Sequence, residues 1–256
     1  FHNFLQIAFV SSPVAIVSGS CHPPKVVPKT GQFMCYLTGQ HISSLHYLRN
    51  HMHVLHNPVS IVAQQMADAN GTSKQRKKLL TVGSLTAFKD HAVLLHAFSM
   101  ISEEYPDGDL YIVGEGDLKQ ELEIIIKMLG IEDRVYLPGS NPSIYKEYID
   151  AQLFVIPSRF ESYSLVTAEV LAYGLPAVGF EDCAGVNRLI QSGKNGILVS
   201  GDNRAGALSS ALKFLMSDKD KREQMGNNAS LIKSNFDGEK VINDWETLLL
   251  KFCKHQ

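Results

Sequence analysis

Two glutamates, Glu161 and Glu169, stand eight residues apart in the run Pro157-Ser158-Arg159-Phe160-Glu161-Ser162-Tyr163-Ser164-Leu165-Val166-Thr167-Ala168-Glu169. The turn from Glu161 to Val166 leads into a helix N-terminus, where first-turn N–H groups lack intrahelical acceptors and the macrodipole adds about half a positive charge. Such a terminus suits phosphate and other anions. Lys89, in a polar loop after an apolar strand, contributes a full charge there. At an effective dielectric near 20 it attracts a phosphate ~4 Å away by about 4 kcal/mol. Taken singly, each residue says little: two glutamates at this spacing are ordinarily surface charges, and a lone lysine ordinarily faces solvent. Their meaning depends on the elements that place them.

From Lys77 onward, short apolar runs alternate with amphipathic stretches, the pattern of a parallel sheet with crossover helices. Strands are expected at residues 79–82, 110–113, 134–137, 153–156, 177–180 and 196–199. Helices are expected at residues 92–104, 118–129, 144–149, 165–173, 204–217 and 238–252. Leu94, Leu95, Phe98 and Ile101 form one apolar stripe, and Gly130 and Gly174 are natural helix stops. The run at 153–156 is almost wholly apolar, so it belongs in the sheet centre, buried on both faces. The fold class is α/β, a Rossmann-like doubly wound parallel sheet, whose ligands bind beyond the carboxyl ends of the strands. The loops at that edge hold Ser84 and Lys89, Gly114 to Gly116, Gly139 and Ser140, and Ser158 to Ser164.

On these residues the chain resembles the E-x7-E signature of retaining, GT-B-fold glycosyltransferases of family four, the glycosyl transferases group 1. The companions are Lys89 after the first strand, Ala172-Tyr173-Gly174-Leu175-Pro176-Ala177-Val178 after the helix, and Asn195-Gly196-Ile197-Leu198-Val199 further on. The resemblance runs from about His56 to about Trp245 and is nearest in character to bacterial capsular and exopolysaccharide transferases. It implies the C-terminal, nucleotide-sugar-binding domain of such an enzyme, moving a hexose-type sugar to a glycan or lipid-linked acceptor with retention. Glu161 and Lys89 are the implied catalytic pair, at the sugar hydroxyls and the diphosphate. Ser84, Gly114, Gly139, Ser164, Leu165, Val166 and Glu169 are the implied substrate-binding set, with Glu169 on both ribose hydroxyls and the loop at Gly139 against the base. The donor would be a UDP- or GDP-sugar. Negative charge grows on the departing diphosphate, and its stabilisation by fixed dipoles and Lys89 requires no metal or other cofactor. The implied location is cytoplasmic, at the inner face of a membrane, in cell-surface polysaccharide synthesis.

Departures from the family pattern are equally specific. Ser84 occupies the place of an arginine, so diphosphate neutralisation rests more heavily on Lys89 and the helix end. Ser162 and Ser164 stand where glycine is common, and Ala184-Gly185-Val186-Asn187-Arg188 lacks the usual acid, with Arg188 expected to face solvent. Residues 1–56 are expected to be the remnant of an N-terminal acceptor domain, 57–76 a linker, and 77–256 the donor domain with a crossing C-terminal helix. On that expectation the polypeptide alone binds donor with little turnover. The alternative is a truncated, non-catalytic nucleotide-sugar-binding domain that needs a partner domain; a sugar-nucleotide epimerase is a more distant third.

Other features are set aside on chemistry. A net charge of −2 gives no general attraction to nucleic acid. The run Lys74-Gln75-Arg76-Lys77-Lys78 reads as a solvated linker. Asp107-Gly108-Asp109 imitates a metal-binding D-x-D but precedes its strand, at the edge away from the loops above. His41, His46, His51, His53 and His56 lack cysteine or carboxylate partners at ligand spacing. Gly114-Glu115-Gly116 falls short of a dinucleotide fingerprint, because Lys119 takes the third glycine's place. Cys21, Cys35, Cys183 and Cys253 are widely separated and read as free thiols.

Overall fold

The computed structural model describes residues 77–236 and 238–253, together with two short strands, β1 (Ala8–Phe9) and β2 (Met34–Cys35), which pair antiparallel. Apart from these two strands, the expected acceptor-domain remnant lies outside the described residues, as do the linker and the histidine cluster. The chain divides into two compact units, residues 61–232 and, grouped together, residues 1–60 with 233–256. The last helix thus falls in a different unit from the rest of the segment 77–256.

The unit 61–232 is built on six strands: β3 (Lys77–Val82), β4 (Gly108–Val113), β5 (Val135–Gly139), β6 (Leu153–Val155), β7 (Ala177–Phe180) and β8 (Gly196–Val199). All pairs are parallel and the order is β5-β4-β3-β6-β7-β8. This is the doubly wound arrangement expected. Chain order reverses between β3 and β6, which opens a crevice beyond their carboxyl ends. The central position of β6 follows from its sequence: Leu153, Phe154 and Val155 are all buried, as a strand covered on both faces must be.

The helices flanking the sheet are α1 (His91–Ser99), α2 (Lys119–Met128), α3 (Ile144–Asp150), α4 (Leu165–Ala172), α5 (Arg204–Ser217) and α6 (Lys219–Ser230). In this unit α1 packs against α2 and α5, and α4 against α6 and β7. Helix α7 (Gly238–Cys253) belongs to the other unit. No helix among the described residues is long and apolar enough to cross a membrane.

Several expectations are corrected. Helix α1 stops at Ser99 rather than 104; Pro106 disfavours helix at Tyr105, and Arg134 takes the carbonyls of Ser102 and Tyr105 into a turn. Strand β5 runs on through Pro138 and Gly139, tolerable because β5 is an edge strand and a missing N–H there costs no ladder bond. Gly108 and Asp109 lie inside β4, in register with Lys77 and Lys78, rather than before it. Helix α6 and the 3-10 turns Ala87–Lys89 and Leu231–Asn235 were not expected. Helix α6 is almost wholly polar and buries only Met225, Gly226 and Ala229, so its sequence shows no apolar stripe. Its close approach to the α4–β7 turn is local: a Cβ on Gly226 would lie 2.4 Å from the Gly174 carbonyl oxygen.

Candidate active site

At the carboxyl edge, three glycines lie across adjacent strand ends. Gly83 N–H donates to Val113 O at 3.0 Å, and Gly114 N–H donates to Gly139 O at 2.9 Å. The loops after β3 and β4 are laced by Leu85 N–H to Glu115 O at 2.8 Å and Leu118 N–H to Leu85 O at 3.1 Å. This explains Gly114 and Gly116 without a dinucleotide. A Cβ on Gly114 would fall 1.9 Å from Gly83 O, and one on Gly116 2.5 Å from Leu85 O. The Glu115 carboxylate lies beside Gly139, which has φ +83°, so a charge missed in the sequence stands at the position assigned to the base.

The lysine and glutamate singled out in the sequence, 72 residues apart, meet across the topological switch point. Lys89 Nζ lies 2.5 Å from Glu161 Oε1, and the same oxygen accepts from Ser158 Oγ at 2.9 Å. The glutamate side chain is 12% exposed and the lysine 25%, so the pair is sheltered yet open on the lysine side. Backbone contacts fix both arms: Arg159 N–H donates to Phe88 O at 2.9 Å, and a Cβ on Gly185 would lie 2.5 Å from Glu161 O. Buried Cys183 is a free thiol with hydrogen bonds to backbone groups of Glu161 and Val186; burial pushes it up to about 11.

Glu161 leads through a turn into α4, as expected. Ser164 caps that helix: its Oγ accepts from Thr167 N–H at 3.4 Å and lies 2.8 Å from Thr167 Oγ1. The Leu165 N–H bonds to Tyr163 O, which leaves the Val166 N–H as the first-turn donor that helix geometry does not satisfy. The Ser164 hydroxyl is thus spent on the cap. Glu169 follows in the second turn, away from the Lys89 pair, and its Oε2 accepts from Tyr148 Oη at 2.7 Å. Burial first, then the Glu169 charge, pushes the Tyr148 phenol well above its usual range. It stays protonated and orients the carboxylate.

Ser84 is exposed, and its carbonyl lies 3.3 Å from His91 Nε2. The contact requires Nε2 to carry the proton. Burial, assisted by the nearby Lys89 charge, holds the His91 imidazole down at about 4, against the opposing effect of the Ser84 contact. Arg188 is exposed. Asp90 has φ +49° and sits within ion-pair distance of Arg159 (2.8 Å) and Arg204 (3.4 Å). Sequence reasoning gave no role to Asp90, His91, Tyr148 and Arg204; it placed Ser158 in the edge loop without its Glu161 contact, and read Cys183 as the free thiol found. For Arg204 a signal existed: a cation at the first position of a helix opposes the macrodipole. The run Asp107-Gly108-Asp109, set aside as an imitation of a D-x-D motif, lies at the opposite edge, with Asp107 paired to Lys77 and Asp109 to Arg134.

Comparison with known proteins bears on the family and the fold. A relative from Haemophilus influenzae, described as an uncharacterized glycosyltransferase, is 32% identical over 177 residues, 68% of this chain and 49% of its own. The N-acetylgalactosamine-N,N'-diacetylbacillosaminyl-diphospho-undecaprenol 4-alpha-N-acetylgalactosaminyltransferase of Campylobacter jejuni is 30% identical over 191 residues, 75% of this chain and 51% of its own. The chain therefore spans about half the length of these curated relatives. In fold it is similar to a mutant of S. aureus TarM crystallised with UDP, at TM-score 0.71 and 20% identity, covering 83% of this chain and 43% of that one. The sheet is that of the Rossmann-like C-terminal domain of GT-B glycosyltransferases. The family model for glycosyl transferases group 1 matches residues 63–231, about two thirds of the chain, and takes in both arms of the Lys89–Glu161 pair: the chain belongs to that family.

Proposed function

We propose that the unit 61–232 binds a nucleotide sugar and presents it for transfer, with retention, to a glycan or lipid-linked acceptor. The observation that carries the reading is the Lys89–Glu161 pair at the switch point, placed before the N-terminus of α4. An ammonium has three donors, so Lys89 can keep Glu161 and still donate to a diphosphate. As the bond to the sugar lengthens, charge accumulates on that diphosphate. Lys89 and the first-turn N–H of Val166 oppose it as fixed groups that need no reorganisation. Glu161, held by Lys89 and Ser158, faces the sugar hydroxyls in this reading, and Glu169, oriented by Tyr148, takes the ribose. Ser84, Gly114, Gly139, Ser164 and Leu165 line the remainder through backbone and small side chains. No step of this chemistry calls for a metal.

The name of the Campylobacter relative supports a hexosaminyl-type transfer onto a lipid-linked acceptor. On that support we place the protein in cell-surface polysaccharide synthesis at the cytoplasmic face of a membrane. Isothermal titration with UDP-, GDP- and ADP-sugars tests the donor site: well-folded protein that binds none of them refutes it. A second reading, binding without turnover, is favoured by the uncharged Ser84. Release of free nucleoside diphosphate from a bound donor in the presence of lipid-linked acceptor would exclude it.

A further inference from the structure

Arg204, the first residue of α5, lies beside the candidate site without belonging to it by any sequence motif. Its side chain is 10% exposed. Nη2 donates to Pro157 O at 2.8 Å and Ser158 O at 3.1 Å, the two residues that lead from β6 toward Glu161. Nε lies 3.4 Å from Asp90 Oδ2, an ion pair without hydrogen-bond alignment, next in sequence to Lys89. Nη1 reaches Asp182 at 3.2 Å, and the guanidinium stacks 3.5 Å from the Phe180 ring centroid, at the end of β7. One planar cation thus touches the loops after β3, β6 and β7. A lysine could not reproduce this, since it offers a point charge in place of a rigid fork.

Two local rules are broken to build this arrangement. A cation at the start of a helix opposes the macrodipole. Asp90 is the one non-glycine residue with positive φ among the described residues. Departures of this kind gather where tertiary structure enforces a functional geometry.

We propose that Arg204 is a positioning residue that ties the Lys89 arm and the Glu161 arm into one rigid unit. Its consequence for ligand binding rests on the donor-site reading above; the clamp itself does not. Because Glu169 is held separately by Tyr148, the clamp acts on the diphosphate-sugar end and leaves the nucleoside end alone. The test uses amide hydrogen exchange on the full chain. In Arg204→Met, residues 84–90 and 157–161 both exchange at least tenfold faster while β3, β4 and α4 keep their protection. Asp90→Gly, which suits the left-handed backbone, removes the Asp90 contacts to both Arg204 and Arg159, loosens residues 84–90 and serves if Arg204→Met fails to fold. Unchanged exchange in either arm of Arg204→Met, in Asp90→Gly at 84–90, or uniform acceleration across the sheet, overturns the clamp. Titration then takes the best bound of UDP, GDP and ADP together with its monophosphate. Arg204→Met and Arg204→Lys each weaken the diphosphate about tenfold and leave the monophosphate unchanged; equal losses for both ligands overturn the positioning role. A wild-type protein that binds no nucleoside diphosphate defeats the donor reading, while the exchange result still decides the clamp.

Discussion

At both ends of the same parallel strands basic side chains meet carboxylates, with opposite results. At the amino edge, Lys77 pairs with Asp107 at 3.1 Å and Arg134 with Asp109 at 3.0 Å. Arg134 also donates to the carbonyls of Ser102, Tyr105 and Gly108, so its Nε and both terminal nitrogens are engaged within the fold. At the carboxyl edge, Lys89 carries one carboxylate partner, is one quarter exposed, and stands before a helix start. The chemistry of the two edges is alike. The reversal of chain order between β3 and β6 leaves a crevice at one edge, and there a cation is held in place without being used up.

The sharpest way to break this contrast is to remove Arg134. Arg134→Met takes the guanidinium away from buried Asp109 and from the three carbonyls it holds, so chemical denaturation should show a loss of about 3–5 kcal/mol. Nucleotide-sugar affinity of the remaining folded protein should not change; a selective loss of affinity would put the amino edge in the site. His91 comes next and concerns the carboxyl edge. Burial holds its imidazole down at about 4 in the folded chain, below the ordinary 6.5. The unfolded chain therefore takes up the proton first, and stability falls as pH drops from about 6.5 through 4, by at most roughly 3 kcal/mol. Above that window the group contributes nothing. Denaturation midpoints at pH 7 and 4.5 should differ less in His91→Asn than in wild type.

Lys89→Met should weaken binding of a nucleoside diphosphate by about 2 kcal/mol, the range of a charge-assisted hydrogen bond, with little effect on the monophosphate. An unchanged titration would remove Lys89 from the site. Ser164→Ala is the smallest change, costing about 1 kcal/mol of stability through the lost helix cap. A large loss of diphosphate affinity at unchanged stability would instead assign its hydroxyl to the ligand.

Much of this was readable in the chain. Strands β7 and β8 and helix α5 fall where periodicity places them, because apolar runs bounded by glycine and polar loops leave little choice. Lys89, Glu161 and Glu169 were singled out by the resemblance to the E-x7-E pattern, together with the loop and helix start that carry them. The partners of Arg204 and Tyr148 were not legible, since each lies 21 or more residues away and neither residue belongs to a motif. Helix α6 escaped because its polarity hides the few small residues by which it packs. Asp109 was misplaced because only pairing with β3 decides where β4 begins.

The sequence by itself determined the alternation of strands and helices, the loop edge that carries the polar groups, and the cap and charge at the start of α4. These are local consequences of side-chain period, glycine positions and backbone donors without acceptors. Tertiary structure alone decided that Lys89 and Glu161 touch, that Tyr148 orients Glu169, and that Arg204 bridges three loops. Contacts between residues distant in the chain arise from strand order and close packing, and no window of sequence contains them.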